Sequence, residues 1–305
     1  MNEPKRHHYI PQFILKNFCY DDKGHFYYYD ISTGRAIKSD KKQVFMSKFL
    51  YSVDADTPED RARIERDFGT FEREVSEIIA PRFLEDKIIV ISAEENEKLL
   101  LFFALMGFRS INTHNFFSGK MSRENRDFYM QYQKDGNFNS LWKRNIGILV
   151  NCRSMQEIID NPDIDSPIKN FMKRDVLYAS GRYFSVVECP DSCEFVISDT
   201  YPTVVTGYLP DETPLEMYAI FPFSSKRAIL MCCNGVEDAP NEVRKLRKCI
   251  VLPPNLIDDR HIKIKAKRLN EEEVASINQM LIKDAKIGVA SRSELTMYVE
   301  EGELK

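Results

Sequence analysis

The chain has 305 residues and a mass of 35.6 kDa, with 43 Lys and Arg against 47 Asp and Glu, a formal net charge of −4. Hydrophobic residues make up 43% and aromatics 11%, which excludes disordered, collagen-like and coiled-coil classes and supplies a sizeable core. The longest nearly uncharged apolar run, Leu99–Phe108, falls well short of the ~20 residues that cross a bilayer. No basic leader with an apolar stretch opens the chain. A soluble, cytoplasmic protein with no membrane partner is therefore expected. Seven cysteines without a CxxC pair fit a reducing compartment. Cys189 and Cys193 flank Pro190-Asp191-Ser192, a hairpin turn rather than half of a zinc site, and Cys232 and Cys233 lie in an apolar run as buried, inert thiols.

Residues 1–40 form an N-terminal segment and hairpin. The first twenty are dense in apolar and aromatic side chains, so His7–Phe18 is expected in the core. His25–Ile31, the turn Ser32-Thr33-Gly34 and Arg35–Lys38 predict two antiparallel strands. A helical region follows over 57–180. Thr57 caps its first helix, Pro58 fits the first position, and Glu59 and Asp60 suit the positive dipole end. Ile64, Phe68, Phe71, Val75, Ile78 and Ile79 then make one apolar face, and Pro81 ends or kinks the helix. Ser92 and Glu95 form a capping box for a helix over 94–117, whose first half is apolar all round, as in a buried central helix. Further helices are expected at Arg123–Lys134, Met155–Asp160 and Pro167–Ser180. From Gly181 the pattern changes to a mainly strand region, 181–235. Arg182–Glu188 and Glu194–Ile197 read as a hairpin, followed by Thr203–Thr206, Met217–Phe221 and Arg227–Cys233. The C-terminal helical segment, 270–292, carries a helix over Glu271–Ala290. This order predicts a single α+β domain, with antiparallel strands at the N-terminus and in the C-terminal half packed on a central helical region.

No Walker loop, GxGxxG, GxSxG or HExxH is present. What remains are polar residues embedded in apolar sequence. His7 and His8 supply a general base, a phosphate contact or metal ligands, or else one structural histidine; in a strand the two rings face opposite ways. Arg109, after the apolar helix, needs an anionic or carbonyl partner. It is either a phosphate or carboxylate clamp or a structural salt bridge, with Glu72 as a partner. Ser198-Asp199, at the end of an apolar strand before a Pro turn, suits an active-site carboxylate and equally a turn former. Glu65 and Glu72 lie seven residues apart on one helix face. Basic stretches at Lys41-Lys42, Lys143-Arg144, Arg244–Lys248 and Lys263–Arg268 are solvated faces or polyanion contacts.

The opening HHYIPQFILKNF, Glu72, Arg109, VISDTYPTV and FPFSSKRAIL, in that order, resemble the bacterial domain-of-unknown-function family 4238. That family has an N-terminal His-His-Tyr-x-Pro-x-Phe-x-Leu motif and a later Ser-Asp-x-Pro. Two positions depart from its usual pattern: Met106 stands where a Gln is usual, and Thr200-Tyr201 separate Asp199 from Pro202 by two residues rather than one. The resemblance implies that His7, His8, Tyr9, Glu72, Arg109, Ser198 and Asp199 share one site. Such a mixture of bases, carboxylates and a cation suits a nuclease-like hydrolase acting on nucleic acid or nucleotide, with a divalent metal as an option and a defence or toxin role. It equally suits a non-enzymatic ligand sensor or protein-binding module of a bacterial conflict system.

Overall fold

The computed structural model describes residues 5–134, 136–179, 184–208, 214–232, 255–258, 260–294, 299–300 and 303–304. Helices and mainly antiparallel sheets make it α+β. Two compact units are each built from three chain segments. One comprises Met1–Tyr9, Met46–Glu77 and Glu97–Leu177; the other comprises Ile10–Phe45, Ile78–Asn96 and Tyr178–Lys305.

The first unit is mainly helical. Its N-terminal strand Arg6–His8 pairs antiparallel with Met46–Lys48, setting His7 opposite Ser47. Thr57 Oγ1 accepts the Asp60 N–H at 3.1 Å, and Pro58 opens the short helix Pro58–Arg61. A break at Ala62 separates it from the helix Arg63–Arg82. Ile64, Phe68, Phe71 and Val75 are buried along one face of that helix, as their spacing predicts. The central apolar helix runs over Ala93–Arg109, with the Ser92/Glu95 capping box formed at both bonds, 3.1 and 2.8 Å. It ends earlier than the sequence suggests, because Ser110 accepts the Thr113 N–H at 3.2 Å and starts a new helix, Ile111–Asn115.

The helix Phe138–Leu149 falls within the helical region expected over 57–180, although its own pattern does not mark it out as a separate helix. Its inner face holds Leu141, Trp142, Ile146 and Leu149, but also Asn145, which is fully buried. Asn145 is satisfied by exchanging bonds with the backbone and side chain of Asp165, at 3.0 and 2.7 Å. A polar residue at a core position hides the apolar stripe.

The second unit carries the larger sheets. A five-stranded sheet is ordered Lys267–Arg268, Phe184–Glu188, Arg227–Cys232, Pro214–Pro222 and Thr203–Tyr208. A four-stranded sheet is ordered Arg35–Asp40, His25–Asp30, Gly288–Ser291 and Ile197–Ser198. The N-terminal hairpin is thus present as expected, while the expected hairpin of 182–188 with 194–197 is not. Phe184–Glu188 pairs with Arg227–Cys232, and Ile197–Ser198 pairs with Gly288–Ser291 in another sheet. The last helix, Glu271–Asp284, starts with an Asn270/Glu273 capping box and stops short of Ala290, which is a strand residue. Its Val274, Ile277 and Leu281 pack with Val187, Ile220, Leu230 and Val289. The segment after Pro11 is buried in this unit at Ile14, Leu15 and Phe18. Among the described residues, no helix is long and apolar enough to cross a membrane. Ser180–Tyr183, Cys233, Arg244–Lys248 and Cys249 lie outside the described residues.

Candidate functional site

In the first unit, Arg109 is 1% exposed at the end of the central helix, and three neighbours hold its guanidinium. Nε donates to Tyr51 Oη at 2.8 Å, Nη1 pairs with Glu72 Oε1, and Nη2 donates to the backbone carbonyl of His8. Its carbon sits 4.1 Å from the centre of the Phe68 ring. Phe68 and Glu72 are one turn apart on the helix Arg63–Arg82, so the same face supplies both the carboxylate and the ring. Burial works against the charge of Arg109, but Tyr51, Glu72 and Glu65 outweigh it and hold the guanidinium above its ordinary range.

His7 enters by a different route. Its ring lies parallel to that of Tyr51, with centroids 5.6 Å apart, and its Nδ1 accepts the Tyr51 N–H at 2.9 Å. An Nδ1 acting as acceptor places the proton of a neutral ring on Nε2. Phe49, two residues before Tyr51, has a left-handed backbone at φ 56°. Burial pushes the Tyr51 hydroxyl well above its ordinary range, against the pull of Arg109. Trp142 also stacks on Tyr51, with centroids 5.8 Å apart, and His114 lies edge-on to Trp142 at 5.0 Å. His114 titrates below its ordinary range because it is buried and near Lys143.

Glu65 completes this cluster, one helical turn before Phe68. Its Oε2 is closed off from solvent and has no hydrogen-bond partner among the described residues. Burial raises its carboxyl to about 7; Arg109 opposes the rise and Glu72 adds to it. The sequence shows Glu65 beside Glu72, but only the fold reveals that Glu72 is ion-paired while Glu65 keeps an unpaired buried oxygen.

Ser198 and Asp199 are built into the second unit. Asp199 is wholly buried, and its Oδ1 accepts three successive backbone N–H groups, from Lys286, Ile287 and Gly288, at 3.0, 2.9 and 3.0 Å. Gly288 is required there, because a Cβ would come within 2.2 Å of the Tyr28 hydroxyl. Asp199 Oδ2 is buried and has no hydrogen-bond partner among the described residues. Replacing Asp199 with Ala should leave three amides without their acceptor and cost about 2 kcal/mol. Asn, which keeps a carbonyl, should cost clearly less, as read from urea midpoints.

A family profile described as "Protein of unknown function (DUF4238)" matches residues 6–294, nearly the whole chain. The chain belongs to that family. No curated protein and no solved structure matches it. In this DUF4238 chain the residues of the opening stretch divide their work. His7 contributes its ring, His8 its carbonyl, and Tyr9 is buried directly after them. Met106 is wholly buried, so the position puts a thioether rather than a polar group into the core. Thr200 joins Ser198 and Thr203 in a buried group of hydroxyls 3.1–3.4 Å apart, and Tyr201 packs perpendicular to Phe221.

Arg227, within FPFSSKRAIL, was not singled out from sequence. It is 3% exposed and binds the carbonyls of Phe83, Glu85 and Asp86 just beyond the helix Arg63–Arg82, at 2.7–2.9 Å, together with Glu188 at 2.6 Å. Its guanidinium ties down the turn that follows the helix, a task that a lysine cannot share among four acceptors. Cys189 is buried, with its thiol directed at the Ser225 and Lys226 carbonyls and pushed up to about 12 by burial, as expected of an inert thiol. Among the described residues, no group of three or more His, Cys, Asp or Glu is placed to hold a metal ion.

Proposed function

We propose that the chain is a hydrolase of phosphodiesters or nucleotides, working through acid–base chemistry at the Glu65–Glu72–Arg109 cluster, in a bacterial toxin or defence setting. The observation that carries this reading is the unequal pair of carboxyls on one helix face. Glu72 is committed to Arg109, while Glu65 has a buried, unpaired oxygen and keeps its proton to near neutrality. A group that holds a proton near the working pH is suited to general acid–base catalysis. Water attacks phosphorus and gives up a proton, the bond to the leaving oxygen breaks, and Glu65 gives that oxygen its proton; the resulting carboxylate takes up the proton that the attacking water releases. Arg109 lends positive charge beside the developing negative oxygens. The test is turnover of nucleotides and single-stranded nucleic acid by purified protein. Glu65→Gln keeps shape and cannot cycle a proton, so it should lose about 100-fold or more in rate while remaining folded. Unchanged turnover in that variant would refute the assignment.

A further inference from the structure

The basic stretch beginning at Lys263 falls on the middle strand of a three-stranded sheet in the second unit, His261–Lys265, between Asn255–Asp258 and Ile88–Ser92. The strand alternates. Ile264 is buried with Ile89 and Ile91, while Lys263 and Lys265 are exposed. The register sets Lys263 opposite Val90 and Lys265 opposite Ile88. Those two aliphatic residues are themselves 38% and 49% exposed, and Lys87 stands exposed before them. The outer face therefore carries a row of ammonium groups beside a row of bare aliphatic side chains. Lys87, Lys263 and Lys265 have no ion-pair partner among the described residues, although the chain as a whole is acidic. Such unneutralised cations next to exposed aliphatics suit a ligand that is anionic along one edge and apolar along the other.

We propose that this sheet face binds single-stranded nucleic acid, with Lys263 and Lys265 on successive phosphates and Ile88 and Val90 against the unpaired bases. Residues two apart on a strand are about 6.7 Å apart, a spacing that an extended sugar–phosphate backbone can follow one phosphate per lysine. A duplex keeps its bases stacked inside and offers the aliphatic row nothing to meet. An anionic bilayer presents its charge to the whole acidic surface rather than to one row, which makes it the weaker match. The inference names the substrate class of the proposed hydrolase and to that extent rests on that reading, but it concerns binding, which is measured apart from turnover.

The experiment is fluorescence anisotropy of labelled oligothymidylate and oligouridylate with the full chain across a salt series. Two lysine–phosphate contacts give a log–log salt slope of about −1.4. Lys263→Glu/Lys265→Glu should weaken binding at least tenfold at low salt and remove about 1.4 from that slope, with an unchanged urea midpoint because both side chains are solvated. Lys16→Glu/Lys283→Glu, an equal charge change at other exposed positions, should weaken it far less. An equal loss in that control, no binding by the native chain, or binding to phosphatidylserine vesicles in preference to oligonucleotide would each overturn the proposal. Binding that survives Glu65→Gln while turnover is lost supports both readings. Binding by a native chain that turns nothing over keeps this surface and removes the hydrolase.

Discussion

Arg109→Met should unfold in urea with a stability lower by about 3–5 kcal/mol. The loss has a specific origin. The guanidinium, itself on the third segment of the first unit, joins Tyr51 and Glu72 of the second segment and the carbonyl of His8 of the first. Removing it strands a carbonyl and a hydroxyl in the interior and leaves Glu72, whose side chain is 17% exposed, without its counter-charge. Arg109→Lys should recover only part of the loss, because one ammonium cannot reach three acceptors that lie in the fixed fork of a guanidinium. Glu72→Leu alone should also be costly, since it leaves a buried cation unpaired. The double variant Arg109→Met/Glu72→Leu should be clearly more stable than the sum of the single losses predicts, because both charges leave the interior together. An Arg109→Met protein within about 1 kcal/mol of the native one would show that the cluster is not holding the unit, because breaking a buried pair costs more than that.

Stability should fall as the pH rises from about 5 to 8, and Glu65→Gln should remove that part of the slope. Glu65 titrates near 7 when folded, against an ordinary 4.5. Between those values the folded chain keeps a proton that the unfolded chain has released. The resulting stability is therefore complete below the unfolded pKa and is lost as the pH passes the folded one. The size of the shift corresponds to roughly 3 kcal/mol. The native protein and Glu65→Gln should thus be similar near pH 4.5, while at pH 8 the Gln variant should be more stable. Subtracting the two curves isolates Glu65 from groups such as His114, whose lowered pKa acts in the opposite sense. Parallel curves for the two proteins from pH 5 to 8 would show that Glu65 is an ordinary, solvated carboxylate. That outcome would also withdraw the group that the hydrolase reading depends on.

Wherever neighbours in sequence are neighbours in space, the chain could be read directly. The Thr57 cap, the Ser92/Glu95 box, the stripe from Ile64 to Val75 and the hairpin of residues 25–40 are all set by contacts within a few residues or across one tight turn. Burial of Arg109 was legible too, since a cation following ten apolar residues needs a partner, and Glu72 was a nameable one. Tertiary structure alone decided the remainder. Asp199 meets amides 87–89 residues away, and Arg227 meets carbonyls more than 140 residues away. Strand Ile197–Ser198 left its expected hairpin because its pairing partner, Gly288–Ser291, comes from the far end of the chain. Hydrophobic burial depends on side-chain type and period, and both are written locally. Hydrogen bonds and ion pairs depend on direction and distance between particular atoms, which exist only once the chain has folded. For the same reason the sequence displayed Glu65 and Glu72 as equals, and only their surroundings distinguish the paired carboxylate from the one that keeps its proton.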